Sequence, residues 1–156
     1  MSDSLSTEEH ALFDAFVSAA VTVQRGVGGD LQELNRTLSE YLTMRHLSEA
    51  PAGRLRIGEL ATAAFVSISR MSRIVEKLEH EGLVERETDV NDRRASFAVL
   101  TEAGRRWLRE ARNPYEASVR RHFLRLLDPG GASSLAATAH QLTGGATGVG
   151  SARRRP

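Results

Sequence analysis

The sequence predicts a mainly helical domain with a small β wing, the layout of a winged helix-turn-helix with further helices on both sides. Between Ser67 and Gly82, apolar residues recur at the i, i+3, i+4 and i+7 spacing of an amphipathic helix. Two short strand-like runs follow, residues 83–88 and 95–100, separated by the polar turn 89–94. A helix followed by a basic-tipped hairpin predicts this fold.

The composition is that of one globular domain. The chain has 156 residues, of which 40% are hydrophobic and 26% charged, enough to bury a core. It contains no cysteine, which excludes disulfides, thiolate sensors and cysteine-based zinc sites. No apolar run approaches the ~20 residues of a membrane span, and the N-terminus lacks a signal-peptide pattern. We therefore expect a cytoplasmic protein with no membrane partner.

Charge alone does not indicate nucleic-acid binding, because the formal net charge is only +1. Residues 1–50 carry three arginines against eight acidic residues, whereas residues 101–156 carry ten against four. The middle of the chain is balanced, so the placement of its charges matters more than their number. Without the motifs, a mixed and solvated surface would explain the same counts.

Two helices are predicted at the N-terminus. The first covers residues 8–25, with Ser6 or Thr7 as its cap. Asp30 is the predicted cap of the second, over residues 31–47. Three glycines predict the end of the first helix: Gly26, Gly28 and Gly29. The apolar surface of the first helix is broad, and either burial in a homodimer or ordinary core packing would account for it.

The winged helix-turn-helix is predicted over about residues 54–100. Residues 54–57 suit an edge strand beside the hairpin, and residues 58–64 a short helix. The turn before the Ser67 cap lacks the glycine that often marks such a motif, and we expect Phe65 to fill the core beneath it. A generic three-helix bundle is the alternative until the hairpin is considered.

The polar face of the helix after Ser67 predicts contact with DNA, since a helix fits the major groove and its first turn points at base edges and phosphates. Small hydroxyls allow close approach, Arg73 suits a base or phosphate deep in the groove, and two further cations suit the flanking backbones. The predicted residues are Ser67, Ser69, Arg70, Ser72, Arg73 and Lys77. Weak intrahelical pairs of Arg73 with Glu76, or of Lys77 with Glu81, are the alternative.

The chain resembles the MarR family of bacterial transcriptional regulators in three pieces, SRIVEKLEHEGLVER, DVNDRR and LTEAG, which occur in the family's order and spacing. The resemblance covers roughly residues 8–143. It implies that Ser72 and Arg73 face the groove, that Asp92 braces the wing, and that Arg94 enters the minor groove. Arginine at a hairpin tip suits a narrow A·T-rich minor groove. Arg93 either contacts phosphate or pairs with a neighbouring aspartate.

The C-terminal part predicts two more helices. Thr101 caps a long helix over residues 102–127, in which Pro114 should cause a kink. A last helix, over about residues 130–142, follows Asp128-Pro129. The terminal helices, about 8–25 and 102–143, resemble the family's dimerisation elements and imply a two-fold homodimer. We expect a single domain over residues 1–143 and a flexible basic tail over 144–156, either solvated or adding nonspecific DNA affinity.

No catalytic constellation is present: the five histidines lack metal-ligand spacing, and there is no phosphate-binding glycine loop. We therefore expect neither enzymatic activity nor a metal or cofactor. The prediction is a homodimeric regulator, most simply a repressor, that binds a pseudo-palindromic duplex. By resemblance, a small aromatic or anionic effector would release it, with pocket walls at Tyr41, His46, Trp107 and Arg112. A winged-helix protein-interaction module without specific DNA binding, and a DNA-binding protein without an effector, remain as alternatives.

Overall fold

The computed structural model describes residues 4–90 and 96–144. It is mainly helical with one three-stranded antiparallel sheet, which confirms the predicted fold class. In chain order the elements are α1 (Thr7–Gln32), α2 (Leu38–Glu49), β1 (Arg54–Arg56), α3 (Ile57–Ala63), α4 (Ile68–His80), β2 (Val84–Thr88), β3 (Ser96–Leu100), α5 (Glu102–His122) and α6 (Pro129–Leu142).

The first helix is longer than predicted, because it continues through its glycines. Ser6 caps α1 as expected, with its hydroxyl accepting from the Glu9 amide, but Asp30 lies inside the helix and caps nothing. The second helix is instead capped by Thr37, whose hydroxyl accepts from the Glu40 amide. The prediction of a helix end at the glycines and a cap at Asp30 was therefore wrong.

Tertiary contacts with α5 explain the continuous α1. Asp30 accepts hydrogen bonds from the Ser118 hydroxyl at 2.5 Å and from His122 Nε2 at 3.0 Å, and pairs with Arg121. The Ser118 hydrogen bond lowers the pKa of the Asp30 carboxyl, and His122 and Arg121 act in the same direction. Gly26 lies against the His122 ring, where a Cβ atom would be only 2.5 Å from Nδ1. These residues are thus used for helix packing rather than for helix termination.

The sheet joins the predicted edge strand to the wing. Its order is β1-β3-β2, with all pairs antiparallel. The hairpin pairs Val84 with Leu100, and β1 pairs Arg54 with Val99 on the other side of β3. The prediction of an edge strand beside a hairpin is confirmed, although the tip of the hairpin, residues 91–95, lies outside the described residues.

The helix-turn-helix and the sheet share one hydrophobic core. Met71, Val75 and Leu78 of α4 are fully buried in it together with residues of α2, α3 and the strands. Gly82 ends α4 with a φ of +72°, as predicted. Packing also requires a glycine at position 104, since a Cβ atom on Gly104 would collide with the Leu83 carbonyl oxygen.

Phe65 does not fill the core. It stands in the turn between α3 and α4 with a φ of +54°, in the left-handed region, and 68% of its surface is exposed. The backbone of the turn is held instead by the Val66 amide donating to the Ala61 carbonyl. The turn thus needs the left-handed conformation that glycine adopts most easily, and this conformation directs the phenyl ring away from the core.

The C-terminal helices differ in how they pack. Thr101 caps α5 as predicted, and Pro114 lies inside the helix, but α5 ends at His122 rather than at residue 127. Phe123 leaves helical geometry there, with a φ of −134°, and a short 3₁₀ turn, Leu124–Leu126, follows. Asp128 caps α6, as expected. None of the residues of α6 is buried, so this helix adds little to the core of one chain.

Candidate nucleic-acid interface

Helix α4 presents one buried face and one exposed face. The Ser67 hydroxyl accepts from the Arg70 amide at 3.2 Å and so fixes the first turn. The apolar stripe of α4 is buried in the core, whereas Ser69 and Arg73 are exposed on the opposite side of the helix. The first turn contains no acidic residue. This arrangement leaves the positive end of the helix dipole and a row of polar side chains open to an external anion.

The remaining predicted residues of the first turns differ in their partners. Arg70 donates to the Ser39 hydroxyl at 3.4 Å, a contact across to α2. Ser72 is half-buried, and its carbonyl accepts from Arg86 Nη2 at 3.0 Å. Arg73 makes no hydrogen bond or ion pair with any residue in the described ranges 4–90 and 96–144, so the pair with Glu76 does not form. Arg73 therefore keeps its donors for an external partner.

Lys77 is held by α2. Its Nζ lies 2.6 Å from Oε1 of Glu40, a carboxylate whose side chain is only 5% exposed, while half of the Lys77 side chain is exposed. The alternative partner, Glu81, pairs with Arg36 instead. The predicted role of Lys77 on a flanking phosphate thus competes with this ion pair, which ties α4 to the N-terminus of α2.

The wing is braced by a pair that sequence reasoning missed. Arg56 Nη2 lies 2.6 Å from Oδ2 of Asp89, and Asp89 is buried. Both arginines of β1 lie over the Phe97 ring, with Arg54 at 3.6 Å from its centroid and Arg56 at 5.3 Å. The residues predicted at the tip, Asp92, Arg93 and Arg94, lie outside the described residues. The period-two spacing of Arg54 and Arg56 was the available signal for the brace.

A second residue that the sequence did not reveal is Arg86 on β2. It donates to the Ser72 carbonyl and lies 3.8 Å from Glu79, so it joins the hairpin to α4. A hollow of about 530 Å³ opens between these elements and the start of α3. Its lining includes Arg56, Gly58, Glu59, Ile68, Ser72 and Arg86.

A second, cationic cavity of about 540 Å³ lies between α2 and α5. Tyr41 and Tyr115 stack in its wall with ring centroids 4.1 Å apart, and Arg45 donates to the Tyr115 hydroxyl at 3.3 Å. Four arginines against two glutamates line it: Arg45, Arg105, Arg109 and Arg112 with Glu49 and Glu116. The cavity combines stacked aromatic rings with an excess of guanidinium groups, which suits an aromatic anion.

The predicted pocket residues are only partly brought together. Tyr41 and Arg112 line the cavity, whereas His46 and Trp107 do not. Trp107 packs edge-on against Tyr41 at 6.1 Å, and Arg36 lies over its ring. His46 is half-buried, and burial followed by the nearby Arg45 lowers the pKa of its imidazole. Burial likewise raises the pKa of the Tyr41 hydroxyl.

In the described part of the chain, no group of three or more His, Asp or Glu side chains is placed to hold a metal ion. Over the same residues, no helix combines the length and apolarity needed to cross a bilayer.

Comparison with known proteins gives the family. A sequence model of the MarR family matches residues 37–96. The HTH-type transcriptional repressor Rv2887 of Mycobacterium tuberculosis (strain ATCC 25618 / H37Rv) is 35% identical over 103 residues, which cover 66% of this chain and 73% of that relative. This chain belongs to the MarR family. As a member of it, the protein is a transcriptional regulator.

Solved structures of MarR proteins share the fold of this chain over most of its length. AbsC from Streptomyces coelicolor is 32% identical with a TM-score of 0.83, covering 95% of this chain and all of AbsC. Sco3205 from the same organism, solved in complex with DNA, is 30% identical with a TM-score of 0.86, covering 93% and 91%. Rv2887 in complex with p-aminosalicylic acid is 27% identical with a TM-score of 0.63, covering 84% and 97%.

Proposed function

We propose that this MarR protein is a homodimeric, sequence-specific DNA-binding repressor that places α4 in the major groove. The observation that carries the proposal is α4 itself, which is fixed by its buried stripe and leaves Arg73 exposed and unpaired among the described residues. The Sco3205 complex supports a DNA ligand, and the similarity to the transcriptional repressor Rv2887 supports repression. Since its target is DNA, we place the protein in the cytoplasm.

Each predicted residue has a proposed role. The Ser67, Ser69 and Ser72 hydroxyls allow close approach of the helix to the groove. Arg73 contacts a base or a deep phosphate, and Arg70 contacts the flanking backbone. Lys77 contributes less, because it is already paired with Glu40. At the wing, Arg94 would enter the minor groove, Arg93 would contact phosphate, and Asp92 would brace the wing.

The decisive experiment is selection from a random duplex pool at about 150 mM salt, where nonspecific phosphate binding is weakened. Native protein should retain a two-fold motif with half-sites about one helical turn, ~34 Å, apart. Arg73→Ala should change the inner bases, and Arg94→Ala should weaken an outer A·T preference. Arg106→Ala, which removes an exposed arginine of α5, serves as the matched control and should leave the motif unchanged. Absence of any enrichment would contradict DNA binding and direct the search to protein partners of the same face.

The homodimer is supported by the apolar residues that one chain leaves uncovered. The N-terminal two-thirds of α1 and the segments around α6 expose large apolar side chains: Leu12, Phe13, Phe16, Val17, Val21, Leu124, Leu126 and Leu142. A surface of this kind on two terminal helices suits an isologous interface. Sedimentation should give a dimer for native protein and for the control Val90→Glu, whose site is exposed on the wing, but a monomer for Phe13→Glu. A native monomer that still binds a two-fold motif would refute the dimer.

The cavity between α2 and α5 is the proposed effector site. An aromatic carboxylate would stack near Tyr41 and Tyr115 and pair with Arg112, and the p-aminosalicylic acid complex of Rv2887 supports that class. Release would follow if the ligand prefers a spacing of the recognition helices unsuited to DNA. Titration with p-aminosalicylate should show binding that Arg112→Gln weakens. Arg120→Gln is the matched control, because Arg120 also pairs with Glu116 but does not line the cavity.

The domain boundaries are also part of the proposal. Residues 1–143 would form the domain and residues 144–156 a basic tail that is dispensable for sequence preference. A protein ending at residue 144 should select the same motif as the full chain. A changed motif would show that the tail takes part in recognition.

A further inference from the structure

We infer that Phe65 and Ile68 form an apolar DNA-contacting edge, in which Ile68 contacts the 5-methyl group of a thymine in the major groove. The inference rests on the proposed function, since it assigns a base preference to the helix placed there. It predicts a thymine at one fixed position of each half-site.

The two side chains are exposed where burial would be expected. Ile68 is the first residue of α4 and is 63% exposed, and Phe65, three residues earlier, is 68% exposed. By contrast, Met71, Val75 and Leu78 of the same helix have no exposed surface. Large apolar groups in water at the start of an otherwise well-packed helix indicate an external contact.

The backbone at Phe65 gives a second, independent reason. Its φ of +54° lies in the region where a Cβ atom is disfavoured and glycine is the least strained residue. Core contact does not account for the ring, because most of it is exposed. Local strain combined with an exposed aromatic side chain is typical of a functional contact.

The surroundings favour DNA over a protein as the partner. Ile68 lines the hollow of about 530 Å³ together with Arg56, Arg86 and Ser72, and with Glu59, so two guanidinium groups stand against one carboxylate around it. The edge also continues into Ser69 and Arg73, the face proposed to enter the groove. In the major groove the thymine methyl is the apolar group that the bases display, and the first turn of a recognition helix lies closest to base edges.

The test compares two random duplex pools, one synthesised with thymine and one with uracil, which lacks only the 5-methyl group. From the thymine pool, native protein should select a motif in which replacing one defined thymine by uracil weakens binding about three- to fivefold, as expected for one buried methyl group. Ile68→Ala should bind the thymine and uracil duplexes equally. Val90→Ala, which removes an exposed aliphatic side chain from the wing, should keep the discrimination, because the methyl group is not displayed in the minor groove.

Phe65 is tested by separating its ring from its backbone strain. Phe65→Gly relieves the strain and should remain folded, yet it should bind the selected duplex several-fold more weakly than native protein. Phe65→Ala should weaken binding similarly. Unchanged binding by both variants would overturn the role of Phe65.

The outcomes distinguish this inference from the function on which it rests. No enrichment from either pool would overturn both. Enrichment of a two-fold motif with no thymine-to-uracil effect at any position would overturn the methyl contact and leave the regulator intact. A methyl effect that persists in Ile68→Ala would overturn the assignment to Ile68.

Discussion

The three glycines of α1 give a prediction whose sign depends on the tertiary structure. In an isolated helix, replacing an interior glycine by alanine stabilises by ~1 kcal/mol. Gly29 has no atom within 4 Å of its would-be Cβ, so Gly29→Ala should show that gain. At Gly26 the same Cβ would lie 2.5 Å from His122 Nδ1 and 2.6 Å from Cγ, so the imidazole must move.

The cost of moving that ring can be worked from its contacts. His122 Nε2 lies 3.0 Å from Asp30 Oδ2, and loss of this partly exposed hydrogen bond costs roughly 1–2 kcal/mol. Overpacking of the α1–α5 contact adds about 1 kcal/mol or more. Subtracting the gain in helix propensity, Gly26→Ala should destabilise the protein by about 1–2 kcal/mol.

The assay is urea unfolding followed by far-UV circular dichroism. All variants are compared at one protein concentration, because the stability of a dimer depends on it. Gly26→Ala should shift the midpoint down, and Gly29→Ala should shift it up. Equal stabilisation by both substitutions would refute the argument that Gly26 is needed for the His122 contact. In a His122→Ala background, Gly26→Ala should stabilise rather than destabilise, because the obstructing ring and its hydrogen bond to Asp30 are already absent.

Three further predictions concern other parts of the molecule. Lys77→Ala should destabilise the protein by about 1–2 kcal/mol, less than for a fully buried ion pair, because half of the Lys77 side chain is exposed. The control Glu76→Ala, at a neighbouring exposed position, should change the stability by less than about 0.5 kcal/mol in the same unfolding assay. Equal effects of the two substitutions would show that the pair with Glu40 is unimportant. Burial lowers the pKa of His46 in the folded protein below its ordinary value of 6.5, so the stability should fall as the pH drops through 6.5 towards the pKa of the folded state. His46→Gln should flatten this part of the pH profile of stability. An unchanged slope would assign the pH dependence to other groups. Phe65→Gly should be more stable than Phe65→Ala by about 1 kcal/mol, since both variants lack the ring and only alanine is strained at a φ of +54°. A more stable alanine variant would mean that the turn relaxes out of the left-handed region.

Local signals in the sequence determined most of the architecture. The stripe from Met71 to Leu78, the Ser67 cap and Gly82 located α4, because spacing and capping act within a few residues. Alternation and turn residues located the hairpin for the same reason. The three short pieces that gave the family lie in and beside these elements, so the family could also be read from the sequence.

Tertiary structure decided what depends on residues far apart in the chain. Asp and Gly are residue types typical of helix ends, so the sequence around Gly26 and Asp30 predicts one. Only the packing of Ser118 and His122 against these two residues explains why the helix continues through them. Lys77 could pair locally with Glu81, yet it pairs with Glu40, 37 residues away, because the low exposure of that carboxylate strengthens the attraction. The Arg56–Asp89 brace spans 33 residues in the same way. The sequence carries these residues, but only the packing of helices and strands fixes which charges and side chains meet.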